Sequence, residues 1–317
     1  MNLLEKHRHH VHVLNGDGHA HLDETLDQSH ACDVVYVIFL DPPERPDPSA
    51  TLFEKFVTTA VSTCQPDPSL VHCEILIPPV PNYEGDRTSF ATYMGRVSSW
   101  QRASEGHKFY LLENASRWRA VPVFGIGAGQ LVRTECQSEI GVDYSLLRYL
   151  LAARPLRSLA KYVGDARRDP AHCASLTARI LKNAFGTDAL AEPSASYGPS
   201  RLFHELSERA ALHGRHIGAA SFSSIEDDTA IAIDRLLRAP MTRENVQAIG
   251  DEQCHAAVKA LTMKVCNSLL SGEELAIRLS QRQLADALLR WTILRPHAAG
   301  PASPDPVPVT IDGVDIF

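Results

Sequence analysis

No CxxC pair occurs in the 317 residues, and the seven cysteines, at positions 32, 64, 73, 136, 173, 254 and 266, are scattered and odd in number. That usage fits reduced thiols in a cytosol-like compartment rather than a disulfide framework. No apolar run approaches the roughly 18 residues a membrane span needs. The opening MNLLEKHRHHVHVLNGDGH lacks the apolar block and small-residue cleavage site of a secretory signal, so a cytoplasmic, non-secreted protein is expected. No long basic stripe is present either. With a formal net charge of −7, nucleic acid is not the expected partner.

What is present is a foldable chain: 44% of its residues are hydrophobic, enough for one large packed core or two modest ones. Four regions differ in texture. Residues 1–30 are rich in His and acidic residues; 31–215 form a mixed core; 216–296 read as a helical extension; 297–317 are a Pro-rich tail. DVVYVIFLD and SLVHCEILIPP read as buried strands stopped by prolines. SFATYMGRVS, HKFYLLENA and AVPVFGIG are shorter strand candidates, and together they suggest an antiparallel meander. A helix through Leu52, Phe56, Val57 and Ala60 lies between the first two strands. FGIGAGQ is no phosphate loop and reads as a turn without a following helix signature.

From about residue 135 the pattern turns helical. In DPAHCASLTARILKNAFG, Asp169 reads as N-cap, Pro170 as first helical residue and Gly186 as terminator. Three more helices follow SRLFHELSERAALHG, the last carrying Leu275, Leu279, Leu284, Leu288 and Trp291. Strands first and helices after them give the expected fold class, α+β.

Cys173 falls in the first turn of its helix on this reading. There the unpaired N–H groups and the dipole lower a thiol's pKa. A nucleophilic thiol also needs an imidazole, best held on a strand. His72 is the candidate base: alternation sets Val71, Cys73 and Ile75 on one strand face and His72 and Glu74 on the other. His172 points about 100° away round the helix and is not expected to be the base. The plainer alternative is that Cys173 and His72 are packing residues, as Cys64, Cys136, Cys254 and Cys266 are read to be.

The order of strand-His, more strands, helical segment and helix-starting Cys resembles the circularly permuted papain-like, NlpC-type thiol hydrolases. HCASLTARIL stands in place of their Cys-Ser-Glu-Leu type helix start. QSEIGVDYSLLRYLL, with Gln137, Gly141 and Tyr144, is similar to the Gln-x-x-Gly-x-x-Tyr stretch of viral members. YGPSRLFHEL, with Pro199, Leu202 and Phe203, is similar to their Pro-x-x-Leu-(Tyr/Phe) helix start. The resemblance covers roughly residues 33 to 210. It implies a permuted papain-like core with an all-α C-terminal extension. It also implies Cys173 as nucleophile with His72 as base, no cofactor or metal, and a peptide, amide or acyl substrate. Ser89, Thr92 and Glu74 are candidates for the group that orients the imidazole, and Gln137 for an oxyanion donor beside the Cys173 backbone N–H. Ala174 and Leu176 depart from the Ser and Glu of the family pattern. The viral likeness further implies a virion or host-cytoplasm setting, with the extension and tail meeting other capsid proteins.

Two other readings compete. His19 and His21 in GDGHAHLDE resemble the metal-binding His-x-His of amidohydrolase barrels, although the helical C-terminal third does not suit a barrel. The chain could also keep a papain-like fold without its chemistry, as a structural scaffold.

Overall fold

The computed structural model describes residues 33–42, 70–78, 89–92, 97–101, 111, 114–152, 156–160, 162–163, 166–217, 227–238, 240 and 242–294. They belong to the compact unit Ala31–Phe317. His19, His21, the expected helix around Phe56 and the tail 297–317 lie outside the described residues.

Five strands form one antiparallel sheet: β1 (Val34–Leu40), β2 (His72–Leu76), β3 (Ser89–Ala91), β4 (Ser99–Gln101) and β5 (Trp118–Phe124). Their order is β4-β3-β2-β1-β5. The first four strands form a meander, but its fourth strand is Ser99–Gln101 and not the expected HKFYLLENA, where Leu111 is helical and Ala115 begins a 3-10 turn. β5 does not extend it but returns to the free side of β1, so β1 is hydrogen-bonded on both edges.

Both faces of the sheet are covered, which is why VVYVIFL is continuously apolar instead of alternating. Val35, Val37 and Phe39 enter one core cluster, Tyr36, Ile38 and Leu40 another. Each such side chain, fully withdrawn from water, contributes about 1.5–3 kcal/mol.

On the first face lie α1 (Ala128–Ser138), α4 (Cys173–Phe185) and α5 (Pro199–Ile217). Two short helices, α2 (Leu146–Leu151) and α3 (Arg157–Ala160), connect α1 to α4. The second face is covered by α6 (Asp227–Arg238), α7 (Arg243–Ile249), α8 (Asp251–Ser271) and α9 (Glu274–Leu294). The C-terminal region is therefore the second layer over the same sheet, and has four helices where the sequence pattern suggested three. The fold is α+β, as expected.

Polar ties fix the second layer to the sheet. Tyr36 OH lies 2.9 Å from Thr262 Oγ1 of α8. Asp41, just beyond β1, pairs with Arg119 of β5 at 2.7 Å and with Arg282 of α9 at 3.0 Å. In α9 the apolar stripe is shorter than its leucines imply: Leu284, Leu288 and Trp291 are buried, whereas Leu275 and Leu279 are exposed. Among the described residues no helix is long and apolar enough to cross a membrane.

Helix ends follow local chemistry in several places. Pro199 opens α5, where its missing N–H costs nothing. Gly186, at φ 99°, closes α4 as expected. α1 begins earlier than the helical pattern suggested, directly after the FGIG turn. Asp33 explains this: its backbone carbonyl accepts from Gly125 N–H (2.9 Å) and its Oδ1 from Gly127 N–H (2.6 Å). A residue 94 positions earlier thus caps a helix that the local sequence leaves unmarked.

α5 and α8 cross closely at Gly214. A Cβ placed there would stand 3.0 Å from Cys266 Cβ. Gly214→Val is expected to lower stability by about 1–3 kcal/mol through overpacking. Chemical denaturation measures this, and an unchanged midpoint would count against a tight crossing.

Candidate active site

Cys173 is the first residue of α4, and the residue preceding the helix is His172, not Asp169. The helix starts later than its local signals suggest because the preceding chain is held in extended pairing. Ala171 forms a parallel bridge with Tyr144; its N–H donates to Asp143 O (2.9 Å) and its carbonyl accepts from Ser145 N–H (3.0 Å). Asp169 instead accepts from Ala166 N–H at 3.0 Å and pairs with Arg148 at 3.1 Å. Ser175 Oγ serves the helix start, accepting from His172 N–H at 3.0 Å. Cys173 therefore lies deeper in the positive end of the helix dipole than a fourth position would place it.

His72 begins β2, and the in–out alternation breaks at this residue. Val71 N–H donates to Leu40 O (3.0 Å), while Leu40 is in register with His72, so two residues stand against one. Such a bulge re-aims side chains. Its trace is visible in the packing: Cys73 and Ile75 belong to the first core cluster, but Val71 packs against the second. This corrects the expectation that Val71, Cys73 and Ile75 share a face. The His72 ring rests edge-on to Trp118, with centroids 6.2 Å apart.

The structure brings His72, Glu74 and Cys173 together. The thiol and the His72 imidazole interact electrostatically, and each changes the other's titration. Glu74 Oε1 is 3.4 Å from His72 Nε2. Glu74 Oε2 in turn accepts from Ser89 Oγ of β3. Glu74 is fully buried, so Ser89 holds the carboxylate that faces the imidazole. Of the three orienting candidates, Glu74 pairs with His72 and Ser89 with Glu74.

These contacts set the charge state. The Cys173 thiol is held well below its usual range, first by a hydrogen bond from Cys73, then against the cost of burial by the charge of His72 and by hydrogen bonds from His172 and His72. Burial disfavours charge on His72. The Cys173 thiolate and then Glu74 outweigh it, lifting the imidazole to about 9. A thiol pushed down beside an imidazole pushed up favours a thiolate–imidazolium pair. Three other core thiols move the opposite way, pushed up by burial: Cys73 and Cys136 strongly, Cys266 to about 12.

Gln137 has a different engagement from the expected one. It is exposed on α1, and its Oε1 accepts from Trp100 Nε1 of β4 at 3.2 Å.

Three residues at the site were not singled out by sequence. Cys73 was expected to face away from His72; its Sγ lies 3.8 Å from Thr177 Oγ1, one turn beyond Cys173 on α4. Tyr144 and Tyr149 are close enough for the Cys173 charge to raise both phenols, after burial as the first cause. Tyr144 was visible only as the tyrosine of QSEIGVDY, one residue longer than the Gln-x-x-Gly-x-x-Tyr stretch it is similar to, and its bridge to Ala171 is what carries it to the site.

No protein-family model matches the chain, and neither does any curated protein or solved structure at a significant level. What the site can do is therefore argued from its chemistry. A buried thiolate at a helix start, beside a protonated imidazole backed by a carboxylate, can attack an electrophilic carbon and then protonate a leaving group.

Proposed function

We propose that the chain is a thiol hydrolase acting on peptide, amide or acyl bonds. The observation that carries this reading is the thiol of Cys173 at the first position of α4, which shares an electrostatic interaction with a buried His72 imidazole that has Glu74 beside it. The motif order that resembles permuted papain-like hydrolases supports it. The Cys173 thiolate attacks a carbonyl carbon. His72 gives its proton to the departing group as the tetrahedral intermediate collapses to an acyl-enzyme. Neutral His72 then takes a proton from water, which attacks the thioester and expels the thiolate. Glu74 keeps the imidazole oriented and offsets its positive charge.

Competitive alkylation tests the assignment. At pH 7, iodoacetamide followed by peptide mass spectrometry is expected to modify Cys173 at least about tenfold faster than Cys136 or Cys266, because the Cys173 thiol is pushed down and those two are pushed up. Equal rates would overturn it.

One observation favours a second reading. Cys173 is only 3% exposed and His72 only 8%, an enclosure that suits a scaffold descended from such enzymes. On that reading the chain is a structural component, and its likeness to viral members suggests a capsid-associated one. A scaffold would show no acyl-enzyme with any activated ester.

A further inference from the structure

A cluster of arginines stands at the end of the sheet where β1 stops and β5 starts, and the thiol chemistry makes no use of it. Asp41 is its centre. Arg119 of β5 grips the carboxylate with two donors, Nη2 to Oδ1 at 2.7 Å and Nε to Oδ2 at 3.0 Å. Arg282 of α9 donates from Nη2 to the same Oδ2 at 3.0 Å. Arg117, just before β5, donates from Nε and Nη2 to the Asp41 backbone carbonyl at 3.1 and 2.6 Å. The ring of Phe203 on α5 lies 5.8 Å from Arg119 Cζ and backs its guanidinium.

Arg278 adds a fourth guanidinium. It stands one turn before Arg282 on α9, which sets the two on one helix face with Cβ atoms about 5–6 Å apart. Arg119 is lowered from its usual value first by burial. Asp41 works against that shift, and the charges of Arg278 and Arg282 add to it. Among the described residues Arg278 has no ion pair, not even with Glu274 one turn before it. Both Asp41 oxygens are already engaged by Arg119 and Arg282, so a clasp joining β1, β5 and α9 is complete without Arg278. On its own, Arg278 contributes like-charge repulsion at i,i+4 and closes no contact. The surplus charge opens to water: the Arg282 side chain is 40% exposed, and Arg117 and Arg278 are half-buried. Fixed positive charge in excess, with unused N–H donors, suits a multiply charged anion.

We infer that Arg278 and Arg282, backed by Arg117 and Arg119, form a binding site for a phosphate group, free or carried by a small ester. The planar guanidinium fork matches two phosphate oxygens. A phosphate monoester carries a charge of about −1.5 to −2 at pH 7, which offsets more of the local excess than one carboxylate can. The site stands whether or not Cys173 is a nucleophile, and its test involves no turnover.

Equilibrium dialysis of the full chain against labelled inorganic phosphate, near neutral pH and at fixed ionic strength, gives stoichiometry and Kd. One phosphate per chain is expected at saturation. Arg278→Gln breaks no ion pair, and its Kd is expected to rise at least about tenfold, the value of one charge-assisted hydrogen bond. Arg167→Gln is the control: it removes an exposed arginine that pairs with Glu135 of α1, and its Kd should match the parent's. A parent that binds less than half an equivalent up to about 10 mM phosphate overturns the site. So does an Arg278→Gln value within about threefold of the parent, which is less than one such bond contributes. Equal losses in Arg278→Gln and Arg167→Gln would mean that phosphate follows overall charge, and the site fails again. Competition separates the ligands. Tighter binding of glycerol 3-phosphate than of phosphate assigns the site to a small ester, and weaker binding assigns it to the free ion. Malonate that competes as well as phosphate would overturn the phosphate assignment in favour of a dicarboxylate.

Discussion

His72→Ala is expected to cost acylation at Cys173 about 10²–10⁴-fold, the range for losing a positioned acid–base. The same change should move the reactivity of the thiol with pH. In the parent, the thiolate forms well below the usual range, and the imidazolium survives until about 9. Turnover of an amide needs thiolate and imidazolium together. Its rate should rise as Cys173 loses its proton and fall as pH passes about 9 and His72 loses its own. The profile is therefore a bell whose alkaline limb belongs to the imidazole. Without His72, the thiol loses both an opposite charge and a hydrogen bond, so the alkylation curve should shift to higher pH. The hydrogen bond from Cys73 and the start of α4 remain, and the shift should stop short of an ordinary thiol. Stopped-flow alkylation across pH 5–10 spans that interval. A variant curve that overlays the parent would show that His72 does not hold the thiolate.

The largest structural effect is expected from Arg179→Leu. Arg179 Nη2 pairs with Glu139 Oε2 at 2.8 Å, and the two side chains are 2% and 0% exposed. The same nitrogen donates to Asp169 O at 3.0 Å. One guanidinium thus ties α4 to the end of α1 and to the segment that leads into Cys173. Removing it strands the Glu139 carboxylate in the core, at a cost of about 3–5 kcal/mol. The double change Arg179→Leu with Glu139→Leu removes the orphaned charge as well, and most of that loss should return. Urea titration of the three variants gives the comparison. A double variant no more stable than the single one would mean that the pair contributes through the Asp169 contact instead.

These two sites show different degrees of legibility. The apolar runs around Val37 and Ile75 mark strands on any reading, because buried β-branched and aromatic residues suit few other conformations. Gly186 and Pro199 mark helix ends through their own backbone restrictions. Cys173 and His72 stand out for the same local reason, a thiol near a helix start and an imidazole in a strand.

Arg179 does not stand out at all. In TARILKNAF it reads as one more polar residue on a helix face, because its partner Glu139 is 40 residues away. The start of α4 is misread for a related reason. Asp169 and Pro170 carry good local signals, yet Ala171 is pulled into pairing with Tyr144, and a long-range backbone bridge outweighs a capping preference of about 1 kcal/mol. The bulge that breaks alternation at His72 depends on how β2 meets Leu40, which period-2 reasoning cannot contain.

By itself, then, the sequence determined the α+β class, the main strands and helices, and the types of side chain available for chemistry. These follow from each residue's own backbone preference and hydropathy. Tertiary structure alone decided that α6 to α9 cover the second face of the sheet, that His172 rather than Asp169 precedes the Cys helix, and that Glu74 faces His72 while Gln137 turns to Trp100. Each of those is a pairing between segments or faces that local preference leaves undetermined. Their energies come from burial and hydrogen bonding that exist only after the chain has closed on itself.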